Sequence, residues 1–192
     1  MIQIRKATPA DAMAIAAVHV AVWRTAYAGI LPDTYLSRMS VTRHASHYGA
    51  GIRSGAGVLV ATASGEDLPP DSNNRIVGFT TAGPARGWGR TLAEGEVETL
   101  YVLDDWRDRG IGRALMNGAG EHLRGIGCRS AFLWVLRDNP SRWFYLRLGG
   151  RAAMETEIVV ASQPVVQTAF VWNPIDRLLA ASPASPPRHP RA

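Results

Sequence analysis

Apolar and polar positions follow helical and strand periods along most of the chain. Ile2–Arg5 alternates and predicts a short first strand. Thr8-Pro9-Ala10-Asp11 predicts a helix start, because the threonine can cap, the proline suits the first helical position and the aspartate completes a capping box. This helix is predicted to run to about Tyr27 and to stop before Gly29. Its apolar positions at helical spacing are Met13, Ala16, Ala17, Val20 and Trp23.

The central part of the chain predicts two more helices and three strands. One helix begins after Pro32 and another spans about Val41 to Arg53. The strand-like runs are Gly57–Thr62, Arg75–Thr81 and Glu96–Val102. Two loops rich in glycine and polar residues, 64–74 and 82–94, separate these strands.

The C-terminal part alternates helices and strands again. A helix is predicted over Gly112–Ile126, with its apolar face formed by Leu115, Ala119, Leu123 and Ile126. Ala131–Leu136 is an uninterrupted apolar run, typical of a strand covered on both faces. A short helix over Ser141–Leu148 follows. Met154–Val160 and Val165–Trp172 then predict an antiparallel pair.

Length and composition favour one folded domain. The chain has 192 residues, of which 46% are hydrophobic and 19% charged. The order of elements predicts a mixed α/β or α+β domain over residues 1–175. Residues 182–192 contain too much proline and too few apolar groups to pack, so a disordered tail is predicted there.

Several classes of protein and site are disfavoured. The single cysteine, Cys128, permits no internal disulfide and no zinc cluster, and no metal site is predicted. The longest apolar stretch, Ala14–Trp23, is shorter than the roughly 20 residues that cross a bilayer, and no signal peptide is evident. We therefore expect a cytoplasmic protein without a membrane partner. The net charge of +5 lies in no block of like charges, so no nucleic-acid partner is expected.

A strand, a polar loop and a helix start follow one another between Glu96 and Gly112. Gly110 and Gly112 permit close approach to the backbone at the start of this helix. The unpaired N–H groups and the dipole of a first helical turn favour an anion there. Nearby arginines add donors: Arg107, Arg109 and Arg113. The implied ligand is a phosphate or pyrophosphate, and a purely structural turn is the alternative.

Two common phosphate-binding motifs do not fit this segment. A P-loop needs Lys and then Ser or Thr after the last glycine, whereas Arg113-Ala114 follows Gly112. A dinucleotide fingerprint needs a third small residue where Leu115 stands. The ligand is therefore neither a P-loop nucleotide nor a dinucleotide of the Rossmann type.

The pattern Arg107-x-x-Gly110-x-Gly112 after Leu100-Tyr101-Val102 resembles the acyl-CoA-binding motif of the GNAT superfamily of acetyl-CoA-dependent N-acetyltransferases. A second match, Asn139 followed by Phe144-Tyr145 and Gly149, lies one helix and one strand downstream. The resemblance spans about residues 2 to 173. Two positions depart from the family pattern, since Arg142 replaces the usual Ala and Gly150 the usual aromatic residue.

The resemblance implies a GNAT-like fold, a mixed but mostly antiparallel central sheet of about six to seven strands flanked by helices. It also implies an acyl-CoA-dependent N-acetyltransferase that uses acetyl-CoA as donor and transfers the acetyl group directly in a ternary complex. The expected acceptor is a primary amine on a small molecule. The alternatives are a protein or peptide amino group, a catalytically silent CoA-binding sensor and, suggested only by the basic composition, a nucleic-acid-binding protein. The resemblance allows a homodimer, although no sequence feature requires one.

The resemblance also assigns residues to the coenzyme. The backbone at Leu100, Tyr101 and Val102 would pair with the pantetheine arm, and the Val102 N–H would polarise the acetyl carbonyl. Asn139 would bond the pantetheine, while Arg142 could either add a phosphate contact or crowd the coenzyme. The pyrophosphate would be cradled by Arg107, Asp108, Arg109, Gly110, Ile111, Gly112 and Arg113.

Candidate catalytic groups follow from the same resemblance. Glu96 matches the family's base position, and Glu98 on the same strand face is the reserve candidate. Tyr145 matches the general acid. The alternatives are ordinary solvated carboxylates for the two glutamates and a packed aromatic for the tyrosine. Candidates for the acceptor pocket, each with core or surface packing as its alternative, are Trp23, Tyr27, Tyr35 and Trp88.

Overall fold

A computed structural model describes residues 1–65 and 75–181 of the protein, and these form seven strands and six α-helices. The strands are β1 (Ile2–Lys6), β2 (Gly57–Ala63), β3 (Arg75–Pro84), β4 (Gly95–Val102), β5 (Ala131–Leu136), β6 (Arg151–Val160) and β7 (Gln163–Trp172). The helices are α1 (Ala12–Ala26), α2 (Asp33–Ser37), α3 (Val41–Arg53), α4 (Ile111–Gly125), α5 (Arg142–Arg147) and α6 (Asp176–Ala181). The predicted tail and most of the loop predicted at 64–74 lie outside the described residues.

All seven strands belong to one sheet with the order β1-β2-β3-β4-β5-β7-β6. Neighbouring strands are antiparallel except for the central pair, β4 and β5, which is parallel. The predicted fold class is therefore confirmed, with seven strands in a mostly antiparallel sheet.

The helices cover the two faces of the sheet. On one face, α1 and α3 pack over β2 and β3 around buried residues such as Ile15, Val60 and Phe79. On the other face, α4 packs over the same strands through Leu115 and, further along, joins α5 and α6 around Leu123. Each face therefore has its own apolar cluster, and the sheet is the layer that both share.

The predicted start of the first helix is confirmed. The Asp11 carboxylate accepts a hydrogen bond from the Thr8 N–H at 2.7 Å, which completes the capping box. Arg5 donates two further hydrogen bonds to the same carboxylate, at 2.7 and 2.9 Å. Mainly because of the hydrogen bond from Arg5, the pKa of Asp11 falls to about 2. This ion pair ties β1 to the turn that opens α1.

The predicted apolar face of α1 is partly wrong. Met13 and Ala17 are exposed, whereas Ile15 and Val18 are buried. The helix lies between the sheet and α3, so it buries a broader face than a single stripe at helical spacing describes.

The predicted face of α4 is confirmed except at its last position. Leu115, Ala119 and Leu123 are fully buried, but Ile126 is 47% exposed. The helix ends at Gly125, and Ile126 is its C-cap residue, so its side chain leaves the buried face.

A β-bulge interrupts the pairing of β3 with β4. Thr81 lies opposite Thr99 and Ala82 lies opposite Val97, so Glu98 is the extra residue between them. Just before this point, β4 pairs with β5 at two positions only, Gly95–Ala131 and Glu96–Phe132. Residues 97–102 of β4 therefore have an edge that β5 does not cover.

The two ends of the α4 face give a matched stability test. We expect Leu123→Ala to lower the free energy of unfolding by about 2–5 kcal/mol, because it leaves a cavity in the cluster that joins α4 to β5 and β7. Ile126→Ala serves as the control and should cost less than about 1 kcal/mol. Chemical denaturation monitored by circular dichroism measures both. Equal losses would contradict the burial described for this helix.

Candidate active site

The uncovered edge of β4 presents backbone groups at alternate residues. The Leu103 N–H donates to the Val77 carbonyl oxygen at 2.9 Å, so this residue faces β3. Because backbone groups in an antiparallel ladder alternate in direction, those of Tyr101 and Thr99 also face β3. In agreement, the Thr99 carbonyl accepts a hydrogen bond from Thr80 Oγ1 at 2.7 Å. The N–H groups of Leu100 and Val102 consequently point to the side that β5 leaves open.

The N-terminus of α4 follows this edge after a short loop. Gly110 is the N-cap residue with φ +80°, and a Cβ added there would meet no atom within 4 Å. Ile111 is buried and anchors the first turn beside it. The unpaired N–H groups of the first turn therefore adjoin open space, as a bound anion requires.

The arginines predicted to surround this helix start are present on the surface. Arg107 forms an ion pair with Asp104 at 2.7 Å. The Arg109 guanidinium lies 4.7 Å from the centroid of the Trp106 ring. Arg113 is exposed on the first turn of α4. Asp108, between the first two arginines, adopts φ +59°, which shapes the turn into the helix.

Two further residues assigned to the coenzyme lie at the junction of β5 and α5, Asn139 in the connecting loop and Arg142 at the start of the helix. Asn139 is buried, its Oδ1 accepts the Ser141 N–H at 2.9 Å, and its side chain opposes the rise that burial causes in the pKa of Tyr27. Arg142 donates through Nη1 to the Arg137 carbonyl at 3.3 Å. Its Nε is buried and, within the described residues, lacks a hydrogen-bond partner. A buried donor of this kind calls for an acceptor that residues 1–65 and 75–181 do not supply.

Tyr145 lies at the base of the same region. Its side chain is 7% exposed and packs against Phe144, Phe170 and Trp172, with ring centroids 5.3 to 6.5 Å away. Burial raises the pKa of the Tyr145 phenol above its ordinary value, so the group holds its proton at neutral pH.

The two candidate bases share one arginine. Arg86 donates through Nε to Glu96 at 3.3 Å, and its Nη2 lies 3.1 Å from a Glu98 oxygen. Burial is the largest influence on Glu98 and raises its pKa, while the charge of Arg86 opposes this rise. Arg86 was not predicted, because nothing in the sequence indicates that the residue after β3 reaches back to β4.

A cavity of about 500 Å³ opens beside Glu98, between α1 and α3 and strands β3 and β4. Its polar and ionisable lining residues are His19, Arg43, His44, His47, Tyr48, Thr81, Glu98 and Thr99. Sequence reasoning missed this cavity. The available signal was the series Arg43, His44, His47, Tyr48 and Gly51, which places polar groups on one side of a helix.

His19 forms the buried end of this cavity. Its Nδ1 lies 2.6 Å from the Tyr48 hydroxyl, while its Nε2 is buried and, in the described part of the chain, has no hydrogen-bond partner. Burial, with smaller contributions from His44 and His47, lowers the pKa of His19 to about 3. The ring is therefore neutral at physiological pH.

None of the four aromatic residues predicted to line an acceptor pocket borders this cavity. Trp23 donates to the Tyr101 hydroxyl at 2.9 Å and stacks edge-on with Tyr27. Tyr35 lies at the edge of the same cluster, 6.4 Å from Trp23 between ring centroids. Trp88 is 86% exposed on a 3-10 turn after β3. The first three form one aromatic cluster around Trp23, and Trp88 is a surface residue.

Over residues 1–65 and 75–181, no cluster of three or more histidine, cysteine or acidic side chains could hold a metal ion. In the same ranges, no helix combines the length and apolar character needed to cross a membrane.

This geometry agrees with what the chain is similar to. Residues 42–149, more than half of the chain, match the family model of the acetyltransferase (GNAT) family. The N-acetyltransferase YuaI of Bacillus subtilis is 30% identical over 178 residues, which cover 93% of this chain and 96% of YuaI. The chain belongs to the GNAT family of N-acetyltransferases.

Solved structures share the fold. Arabidopsis thaliana NAA60, in complex with a bisubstrate analogue, is 21% identical with a TM-score of 0.67, and the match covers 90% of this chain and 98% of that one. A phosphinothricin acetyltransferase from Sinorhizobium meliloti, in complex with acetyl-CoA, is 18% identical with a TM-score of 0.64, covering 89% and 87%.

The protein is therefore an acyl-CoA-dependent N-acetyltransferase with acetyl-CoA as its donor. The residues present fit this donor. The open edge of β4 offers two outward N–H groups, the α4 N-terminus has space for an anion, and Arg142 holds an unpartnered buried donor.

The cradle at α4 can be tested at Gly110. We expect Gly110→Asp to lower the affinity for acetyl-CoA by more than about 100-fold, because a side chain and a negative charge would enter the space for the pyrophosphate. Isothermal titration calorimetry measures the effect.

Gly110→Asn is the matched control, since asparagine tolerates a positive φ better than most residues and carries no charge. It should bind more tightly than Gly110→Asp. Full affinity for acetyl-CoA in the aspartate variant, with an unchanged circular dichroism spectrum, would show that the N-terminus of α4 does not bind the pyrophosphate.

Proposed function

We propose that the protein, as a single domain over residues 1–175, transfers the acetyl group of acetyl-CoA to the primary amine of a small molecule in a ternary complex. The observation that carries this proposal is the meeting of the uncovered β4 edge with the cavity at Glu98. Glu98 and Thr99 line the cavity for the acceptor, and Leu100, the next residue of the strand, presents its N–H on the uncovered edge. Two substrates can therefore meet there without a covalent enzyme intermediate.

The coenzyme is proposed to lie along β4 like an added strand. Leu100 and Val102 would bond the pantetheine arm through their outward backbone groups, and Asn139 would contact it from the loop between β5 and α5. The pyrophosphate would bind the amides of residues 107–113, with Arg142 as a further donor. The resemblance assigns the acetyl carbonyl to the Val102 N–H, and Leu100 presents an equivalent group two residues nearer to Glu98. Acetyl-CoA supplies an activated acyl group as a thioester.

The acceptor must lose a proton to react. An alkyl amine with a pKa near 10.4 is only about 0.04% neutral at pH 7. We propose that Glu98 accepts this proton, because it lines the cavity and Glu96 does not. Arg86, which also pairs with Glu96, would then position Glu98 and favour its ionised form, whereas the negative charge of Glu96 raises the pKa of Glu98.

The leaving thiolate must gain a proton. Tyr145 is the proposed donor: as the amine nitrogen bonds the acetyl carbon and the carbon–sulfur bond breaks, its phenol proton passes to sulfur. A phenol is a weaker acid than a thiol, and burial widens the difference, so this proton transfer is uphill by itself and is drawn forward when solvent reprotonates the phenolate. Solvent also takes up the second proton, which the amine nitrogen releases as the amide forms.

The size of the cavity favours a small acceptor over a protein. Its volume of about 500 Å³ lies within the usual range for small-molecule sites, about 300–1,000 Å³. A protein or peptide amino group is the second candidate acceptor. A silent CoA sensor would need neither the carboxylate pair nor the buried phenol.

Calorimetric binding of acetyl-CoA followed by free-thiol release in an amine screen tests the proposal, and binding without release from any amine would favour the sensor.

Tyr145→Phe tests the proposed acid. We expect kcat to fall by about 10²-fold, because the variant keeps the packed ring and removes only the proton donor. Affinity for acetyl-CoA in calorimetry should be unchanged. A kcat equal to that of the wild type would show that solvent protonates the thiolate.

Glutamine variants test the proposed base. In the wild type, kcat/KM should fall as pH decreases, with an apparent pKa above the ordinary glutamate value of about 4.3, because the active form is the Glu98 carboxylate and burial raises its pKa. We expect Glu98→Gln to lower kcat/KM by about 10²-fold and to abolish the part of this decline that has the glutamate pKa, which leaves only the dependence caused by protonation of the amine itself. Steady-state rates between pH 4.5 and 9 provide the measurement.

Glu96→Gln is the comparison within the same pair. It should retain the acidic decline and lose less activity than Glu98→Gln. If instead only Glu96→Gln abolishes the decline, Glu96 is the base. If neither does, the amine loses its proton to water.

A further inference from the structure

The cavity beside Glu98 has walls of opposite charge. The α3 wall contributes Arg43, His44 and His47, and the β4 wall contributes Glu98 as the acidic lining residue. The hydroxyls of Thr81 and Thr99, which bond each other at 2.9 Å, lie beside Glu98. A ligand that fills this space touches a cationic wall on one side and a carboxylate on the other.

The cationic wall lacks an acidic partner in the described part of the chain. No Asp or Glu oxygen there lies within 4.0 Å of Arg43, His44 or His47. Glu98, in contrast, is already paired with Arg86 from a different direction. The carboxylate is thus balanced within the protein, whereas the Arg43 guanidinium faces the cavity without an anion. The site consequently lacks one negative charge on its α3 side.

We propose, on the basis of the function proposed above, that the acceptor is an amine that also carries a carboxylate, as a free amino acid does. The carboxylate binds at Arg43, with His44 and His47 as neighbouring donors, and the amine lies at Glu98. An arginine fork suits a carboxylate because it can donate two parallel hydrogen bonds. The charged ends of the ligand then match the two walls and orient the amine toward the uncovered edge of β4.

The same arrangement disfavours polycationic acceptors. A diamine or polyamine would place its second ammonium group against the Arg43 guanidinium, where like charges repel. Neutral amines would leave Arg43 without a counterion and would gain less from the site. We therefore expect the cavity to select acceptor amines by their charge, and we expect Arg43 to be the residue responsible for this selectivity.

Matched pairs of amines test this inference. The probes are the twenty standard L-amino acids, the α-carboxamide of each, and the polyamines putrescine and spermidine, with free-thiol release from acetyl-CoA as the readout. We expect at least one amino acid to be acetylated with kcat/KM about 10-fold or more above that of its amide. In Arg43→Gln this ratio should fall to about one, through a higher KM for the acid with kcat largely unchanged.

Arg53→Gln is the matched control, since Arg53 lies on the same helix but does not line the cavity. It should keep the preference for the acid. Amides or polyamines acetylated as well as the acids would overturn the inference and leave the transferase intact. An equal loss on acid and amide in Arg43→Gln would likewise overturn it, because Arg43 would then act only on the structure. Acetyl-CoA binding without thiol release from any probe would instead contradict the small-molecule function itself.

Discussion

The parallel contact between β4 and β5 ends after Glu96, and the site depends on that interruption. An uninterrupted pair would satisfy every backbone group of β4 and leave no place for a second extended chain. Because pairing stops, Leu100 and Val102 retain outward N–H groups in the middle of a sheet rather than at its rim. The remaining strands hold this gap open: β3 pairs with β4 through Val102, and β7 pairs with all of β5.

The β-bulge at Glu98 is the second local irregularity on which the site depends. In a regular strand, residues 96, 98 and 100 would share a face, and Leu100 packs toward α4. The extra residue reverses this alternation, so Glu98 and Thr99 both border the cavity under α3. One inserted residue thereby brings a carboxylate to the acceptor side while an apolar residue stays in the core.

Hydrophobic periodicity predicted most of the helices and strands. An element that packs against one neighbour buries one face, so its apolar residues recur at the period of a helix or a strand. The bounds of α3 and β5 agree with the prediction residue for residue. The face of α1 was partly missed since two layers cover it, and α6 was not predicted. Two features of the site could not be predicted from any local pattern in the sequence. The bulge depends on the register between strands, and the contact of Arg86 with Glu96 and Glu98 depends on how a loop returns to the sheet.

Burial acts on the two proposed proton-transfer groups in a consistent direction. It raises the pKa of Glu98, which makes that carboxylate a better proton acceptor, while Arg86 prevents burial from neutralising it altogether. It also raises the pKa of Tyr145, which keeps the phenol protonated until the thiolate leaves the acetyl carbon. In the described part of the chain, Tyr145 contacts aromatic rings, whereas Glu98 is paired with Arg86. The difference in partners, rather than in burial, therefore separates a base from an acid in this site.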